Sequence, residues 1–217
     1  MYMRRAIVAA SGLFICLFLV VHLSVNALLL LPDESARRLY NVCSHTLRES
    51  LLITVVAYLL YASIGLHVVY ALLVAYRNRK TRHQRYLLNR TEENSSWTSQ
   101  NMGLLGILVL LFLLVHLGDF WARIKLGLGT PVGRDIDGYV DVYSVSVSLF
   151  SNGYYVLFYS LLTVPLGLHL QHGLASGFKT LGFHHRPSLR RLATISSIYA
   201  GMMTVGFGLI PLLLYVR

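Results

Sequence analysis

Five separate stretches of this chain are long and apolar enough to cross a lipid bilayer as α-helices. An apolar run of about 20 residues spans the hydrocarbon core as a helix. The stretches contain no Lys, Arg or Glu, and their single Asp, Asp119, lies at the end of its run. With 55% hydrophobic and only 13% charged residues, the chain belongs to the membrane class rather than to soluble domains. The predicted spans are 6–31, 51–76, 102–121, 154–178 and 192–216.

The basic residues are distributed unevenly among the segments that join these spans. The formal net charge is +10, and 12 of the 19 Lys and Arg residues fall in the N-terminal segment and in the loops 77–101 and 179–191. Cytoplasmic loops carry the excess of Lys and Arg in membrane proteins. We therefore expect one all-α membrane domain over 1–217 with five transmembrane helices, the N-terminus inside and the C-terminus outside. The same distribution explains the basic charge without a nucleic-acid partner, and the inner loops could hold membrane lipids or an acidic protein.

The first apolar run is predicted to be a retained helix. Arg4 and Arg5 precede it, as in a secretory signal peptide, but the run is too long for such a peptide and no small-residue cleavage site follows. The two cysteines, Cys16 and Cys43, fall one in a span and one in a loop. Neither a disulfide framework nor a thiolate metal site is therefore expected.

Two outer connections follow from this topology. The first, 33–50, is predicted to be a short loop of mixed charge. The second, 123–152, contains glycines that interrupt any long helix. Near its end, four apolar residues recur at helical spacing and predict a short helix lying on the outer surface. They are Val140, Tyr143, Val147 and Phe150.

Four of the five spans carry a histidine well inside the apolar run. His22 and His116 both fall in the outer half of their spans, whereas His67 and His169 both fall in the inner half. The sequence thus predicts two pairs of imidazoles at two depths. His172, one turn from His169, is the alternative member of the inner pair.

Paired imidazoles from different helices suit a haem whose two axial positions are both filled by histidine. Two such haems would carry electrons across the bilayer. Intramembrane histidines also bond to neighbouring helices or line proton paths, but proton relays usually include buried carboxylates, which these spans almost lack. Small residues near the histidines could make room for a porphyrin between the helices. They are Gly65, Ala71, Gly118, Gly167 and Gly173.

The residues around the four histidines resemble those of the five-helix, di-haem cytochrome b subunit of succinate:quinone oxidoreductases, the family of succinate dehydrogenases and fumarate reductases. The resemblance covers essentially the whole chain, and the segment after position 165 is its most specific part. The matching segments are HLSVN at 22–26, HVVYALLVA at 67–75, HLGDF at 116–120 and PLGLHLQHGLASGFKTLG at 165–182.

The resemblance implies a function. His22 and His116 would ligate an outer haem b, and His67 and His169 an inner haem b, with the spacing from His169 to Gly173 favouring His169 over His172. The chain would anchor an iron–sulfur subunit, which carries a flavoprotein subunit where succinate and fumarate interconvert. It would exchange electrons with a quinone, menaquinone for this type, in the bacterial cytoplasmic membrane.

One residue is a candidate for the quinone chemistry. Asp119 lies three residues after His116 and could accept a proton from a quinol; alternatively it caps a helix or pairs with Arg123. Two other functions stay open at this point. One is another quinone-linked cytochrome b, and the other is a haem-free membrane anchor or transporter, although transporters often have broken helices and buried charge that are not evident here.

Overall fold

The computed structural model describes residues 2–81, 97–183 and 186–217, and over these residues the chain is almost entirely helical. The predicted inner loops 77–101 and 179–191 therefore lie partly outside the described residues. Three histidines of these loops lie outside them altogether: His83, His184 and His185. In chain order the helices are α1 (Tyr2–Ala27), a 3₁₀ turn (Leu28–Leu30), α2 (Asp33–Glu49), α3 (Leu51–Thr81), α4 (Trp97–Gln100), α5 (Met102–His116), a π-helical segment (Leu117–Ala122), α6 (Arg123–Leu126), α7 (Val142–Phe150), α8 (Gly153–Thr180) and α9 (Arg186–Tyr215).

Five helical stretches are long and apolar enough to span a membrane, which confirms the predicted number and positions of the spans. The fourth and fifth bury about a third of their central residues, whereas the first three bury far fewer. Large apolar side chains along α3 are exposed on several sides, as expected of a helix that meets lipid. The stretches are Met3–Leu30, Leu51–Arg77, Met102–Leu126, Gly153–Thr180 and Leu189–Tyr215.

The four histidine-bearing helices form an incomplete ring. α1 packs against α3 on one side and α8 on the other, and α8 also packs against α5. α3 and α5 lie at the two free ends of this ring. A hydrogen bond bridges them where Trp121 Nε1 donates to the Tyr61 hydroxyl at 3.0 Å. Because α1 faces α5 and α3 faces α8 across the ring, residues on those helices can meet at its centre.

α9 closes the bundle from outside by packing along α8 and reaching α1. The α8–α9 contact is close because small residues face each other. A Cβ added at Gly167 would lie 1.9 Å from Thr204 Oγ1, and one at Gly208 would lie 3.1 Å from Thr163 Oγ1. Ser160 donates to the Gly208 carbonyl at 3.0 Å, which joins the backbones further. Close packing and interhelical hydrogen bonds are the forces that hold helices together in lipid.

The segment 33–50 is not the loop that its mixed charge predicted. It is the 17-residue helix α2, which begins after Pro32, has Asp33 and Glu34 in its first turn and ends with Arg48 in its last turn. Acidic residues in the first turn and basic residues in the last turn stabilise a helix through its dipole. Ala36, Tyr40 and Asn41 are buried against the rest of the protein. We call the end of the bundle that carries α2 and α7 the α2 end.

The predicted helix near 140–150 is present as α7, but it is more deeply packed than a surface helix. Asp141 caps it by accepting from the Ser144 backbone N–H, and Val142, Val145 and Phe150 are buried. α7 contacts α2, α8 and α9. The buried face therefore differs from the one that the apolar spacing predicted, because α2 covers residues that a membrane-surface helix would present to lipid.

One charged cluster fixes α2 to the segment before α7. Asn41, fully buried, donates to Asp135 at 3.0 Å and to Asp141 at 2.9 Å, and Arg37 forms an ion pair with Asp141. Burial opposes ionisation of Asp141, but hydrogen bonds from Ser144, Asn41 and Arg37 outweigh it and hold the pKa of Asp141 below its usual value. The cluster therefore holds the long connection against α2.

Candidate cofactor-binding site

The four intramembrane histidines meet as two separate pairs across the helix ring. The rings of His22 and His116 have centroids 5.7 Å apart with an angle of 82° between their planes. Those of His67 and His169 are 6.3 Å apart at 77°. The first pair joins α1 to α5 near the α2 end, and the second joins α3 to α8 deeper in the bundle. The pairing is the one that depth along the spans predicted.

The imidazoles within each pair are not hydrogen-bonded to each other anywhere in the described residues. Among the ring contacts of the described residues, His67 faces His169 and not His172. Two metal–imidazole bonds of about 2 Å each, with the ring centres set back behind the nitrogens, would place two such centres about 6 Å apart. Both observed separations are compatible with one metal ion between the paired rings.

Aromatic side chains surround the His22–His116 pair. Phe18 stacks on His22 at 5.2 Å, and Phe120 lies 5.1 Å from His116 between ring centroids. Tyr159 of α8 lies 6.2 Å from His116. The shell excludes lipid tails and water from one side of the pair. Two further rings complete it, Phe112 against His116 and Phe207 against His22.

The His67–His169 pair is held by glycine and backbone instead. A Cβ added at Gly12 of α1 would lie 3.0 Å from His67 Cε1, and one at Gly106 of α5 would lie 3.5 Å from His169 Cε1. The absence of a side chain at these two positions lets each imidazole lie against the neighbouring helix. Ser11 adds a polar contact, with its hydroxyl 3.4 Å from His67 Nδ1.

The hydrogen bond of His67 fixes which of its nitrogens is free to ligate. Its Nδ1 lies 3.1 Å from the Val8 carbonyl, which can only accept, so Nδ1 carries the proton and Nε2 keeps its lone pair. Histidines that bind metals commonly donate their second N–H in this way. Nδ1 of His116 and of His169 is buried without a partner in the described part of the chain.

The glycines predicted to make room for a cofactor are not the ones that touch the histidines. A Cβ at Gly65 or Gly118 would meet nothing within 4 Å, while Gly167 packs on Thr204 and Gly173 on Met102. The glycines that lie against the histidine rings are instead Gly12 and Gly106. Their signal in the sequence is weak, because they lie on different helices from the histidines that they contact.

A π-helical segment follows His116 immediately and redirects the end of this span. It extends over Leu117–Ala122 and contains Asp119, Phe120 and Trp121. π-Helical turns are rare and are frequent at functional sites. The sequence predicted a plain helix to Trp121, because nothing in the apolar pattern distinguishes the wider turn.

Asp119 accepts a hydrogen bond from the Tyr159 hydroxyl at 2.6 Å. It is partly buried, beside the aromatic shell of His116, and its predicted alternative partner Arg123 donates to the Thr130 carbonyl instead. The carboxylate is therefore tied to α8 rather than to the next turn of its own helix. Its role as a proton acceptor stays a prediction.

A cavity of about 300 Å³ opens from the His22–His116 pair toward the α2 end. Its walls are mainly apolar and include Phe120, Trp121 and Ile124. At its polar side, Tyr40 donates to Asn26 Oδ1 at 3.3 Å, and Asn26 donates to the His22 carbonyl at 2.8 Å. Its remaining lining residues are Val25, Ser44, Lys125 and Val142.

His45 of α2 stacks on Tyr139, with ring centroids 4.4 Å apart. The described residues contain no cluster of three or more His, Cys, Asp or Glu able to hold a bare metal ion. A haem needs only two protein ligands, so the paired imidazoles fit it in number and spacing, and the tautomer of His67 leaves its Nε2 free to ligate.

No protein-family model matches the chain, and comparisons with curated proteins and with solved structures also give no match.

Proposed function

We propose that this protein is the membrane-anchor cytochrome b subunit of a succinate:quinone oxidoreductase, a succinate dehydrogenase or a fumarate reductase. The observation that carries the proposal is the arrangement of four intramembrane histidines as two facing pairs, one residue from each of four helices. Histidines that stabilised the bundle only as polar residues would be expected to bond to each other or to neighbouring polar groups. Here the rings of each pair face each other without a hydrogen bond, and Nδ1 of His116 and of His169 has no partner in the described residues, although His67 bonds to the Val8 carbonyl.

In this proposal His22 and His116 hold one haem b, and His67 and His169 hold the other. A haem with two histidine ligands transfers single electrons and offers no open position to oxygen. The protein supplies the rest of the site. The Val8 carbonyl orients His67 by accepting a hydrogen bond from its Nδ1–H. The aromatic rings around His116 exclude water from one side of the pair.

The chain would lie in the bacterial cytoplasmic membrane with its N-terminus inside, since its basic segments would then face the cytoplasm. The inner loops would bind an iron–sulfur subunit, and through it a flavoprotein subunit would supply the dicarboxylate chemistry. Menaquinone is the proposed quinone. Asp119, held by Tyr159 beside His116, is the candidate that would take a proton from the quinol near the α2 end.

The test is a cofactor assay on the full chain purified from membranes with its partner subunits. We expect two b haems per chain by pyridine haemochrome, a reduced-minus-oxidised spectrum with narrow visible bands, and haem reduction by a menaquinol analogue. One haem would mean that one of the two pairs is assigned wrongly. A fully assembled preparation without haem would overturn the electron-transfer function and leave the haem-free anchor or transporter.

A further inference from the structure

The cavity at the α2 end combines an apolar interior with a cationic rim. His22 and His116 line it together with aromatic and aliphatic residues. At the rim lie Lys125, the one charged side chain among its lining residues, and the Ser44 hydroxyl. A ligand with an apolar body and an anionic group suits such a lining.

Both rim groups are available for a ligand. Lys125 forms no ion pair or hydrogen bond within the described part of the chain, and neither does the Ser44 hydroxyl. By contrast, the other charged side chains nearby already have partners. Arg123 donates to Thr130, and Arg37 pairs with Asp141. Two free donors on different helices, α6 and α2, thus face the same cavity.

We infer that Lys125 and Ser44 bind the propionate carboxylates of the haem held by His22 and His116. The inference rests on the proposed function, because it needs that haem. It adds an orientation, since the carboxylates would then face Lys125 and Ser44 at the α2 end. Lysine is suited to this role because its ammonium group donates to carboxylates as a point charge on a flexible stem.

The π-helical segment explains how Lys125 reaches the rim. His116 and Lys125 belong to one continuous span, but the wider turn at Leu117–Ala122 changes the rotation of every residue that follows it. Phe120, Trp121, Ile124 and Lys125 then all line the cavity that begins at His116. The ligand and the rim cation are therefore positioned by the same helix.

The experiment compares Lys125→Met with Arg123→Met in the full complex. The two residues lie in one short helix and lose the same charge, but only Lys125 lines the cavity. Spectroelectrochemical titration measures the midpoint potential of each haem. Lys125 stabilises the reduced haem, which carries one more negative charge, so we expect its loss to lower the midpoint potential of the His22–His116 haem. The midpoint of the other haem should stay constant, and Lys125→Arg should restore most of the shift.

A second readout does not depend on electron transfer. Haem release to excess apomyoglobin should be roughly tenfold faster in Lys125→Met, as expected for loss of a charge-assisted hydrogen bond. Ser44→Ala should show a smaller acceleration, and Thr46→Ala, which is on α2 but bonds to the Val42 carbonyl, should show none. Equal potentials and release rates in Lys125→Met and Arg123→Met would overturn the inference while leaving the haems in place. A parent protein without haem would overturn both the inference and the proposed function.

Discussion

The two histidine pairs are supported in different ways. Rings surround His22 and His116, with Phe18 and Phe120 within 5.2 Å of them. Backbone and glycine surround His67 and His169, and a carbonyl fixes the tautomer of His67. A cavity with a cationic side chain, Lys125, adjoins the first pair, whereas the polar contacts of the second pair among the described residues are with the Ser11 hydroxyl and the Val8 carbonyl.

This difference indicates a division of roles. Adding an electron to a haem that is surrounded by apolar groups and backbone costs more free energy. Polar groups and a free cation near a haem lower that free energy. If both pairs hold haems, the His22–His116 haem should therefore have a higher midpoint potential than it would have with the aromatic shell alone. Each prediction below tests one part of this contrast, beginning with the largest effect.

Removing a ligand should remove one whole haem and spare the other. His22→Ala and His116→Ala should each lose the same haem, because the two rings face each other, and His67→Ala and His169→Ala should each lose the second. Haem per chain and the visible spectrum of the reduced protein measure this. His172→Ala is the matched control and should keep both haems. Loss of a haem in that variant, with both retained in His169→Ala, would show that the wrong histidine of α8 was assigned.

Adding a methyl group beside the second pair should act on that pair alone. In Gly12→Ala the new Cβ would lie 3.0 Å from His67 Cε1, which is tighter than most natural Cβ contacts, so the His67 ring must shift by a few tenths of an ångström and its haem occupancy should fall. Gly106→Ala, at 3.5 Å from His169, should have a weak effect. Occupancy is measured against the first haem in the same sample.

Gly65→Ala is the control for this series. It lies two residues before His67 on the same helix, yet its Cβ would meet nothing within 4 Å. The expected order of damage is Gly12, then Gly106, then Gly65. An equal loss in Gly12→Ala and Gly65→Ala would mean that helix flexibility, rather than contact with the imidazole, determines occupancy.

The sequence predicted the spans and which histidines pair, but not the residues that surround each pair. Depth along an apolar run can be read from residue order, so the pairing of His22 with His116 could be found. Contacts such as Gly12 with His67 depend on how α1 and α3 cross. Neither residue type nor spacing along one helix encodes that crossing.

Two other misses have different causes. α2 could have been predicted, because Pro32, the acids after it and Arg48 mark the ends of a helix, and Ala36 and Tyr40 share one face. The mixed charge of this segment on its own favours a loop. The π-helical segment could not have been predicted, since nothing in the apolar pattern of this span distinguishes the wider turn.

The Asp119–Tyr159 hydrogen bond should stabilise the first pair's end of the bundle. Tyr159→Phe leaves a partly buried carboxylate without its donor, and we expect a loss of about 1.5–3 kcal/mol in the free energy of unfolding. The visible band of the His22–His116 haem should shift, because Tyr159 also lies 6.2 Å from His116. Tyr154→Phe, at an 86% exposed position of the same helix, should change neither quantity. A shift in the other haem's band would contradict the local effect.

The smallest expected effect concerns the cluster that holds α2 near the cavity. Asp141→Asn should cost about 1–2 kcal/mol at pH 7, since its charge-assisted hydrogen bonds weaken while Arg37 is half exposed and partly screened. The pKa of Asp141 is lowered from 3.8, so its ionised form stabilises the fold above that pH, and this contribution is lost as the pH falls below it. The difference in thermal stability between parent and variant should therefore narrow below about pH 4.

Asp137→Asn is the control, because Asp137 is 40% exposed and lies 3.8 Å from Arg38. It should melt with the parent at every pH. A constant difference between Asp141→Asn and the parent across this range would show that shape, rather than charge, determines what Asp141 contributes.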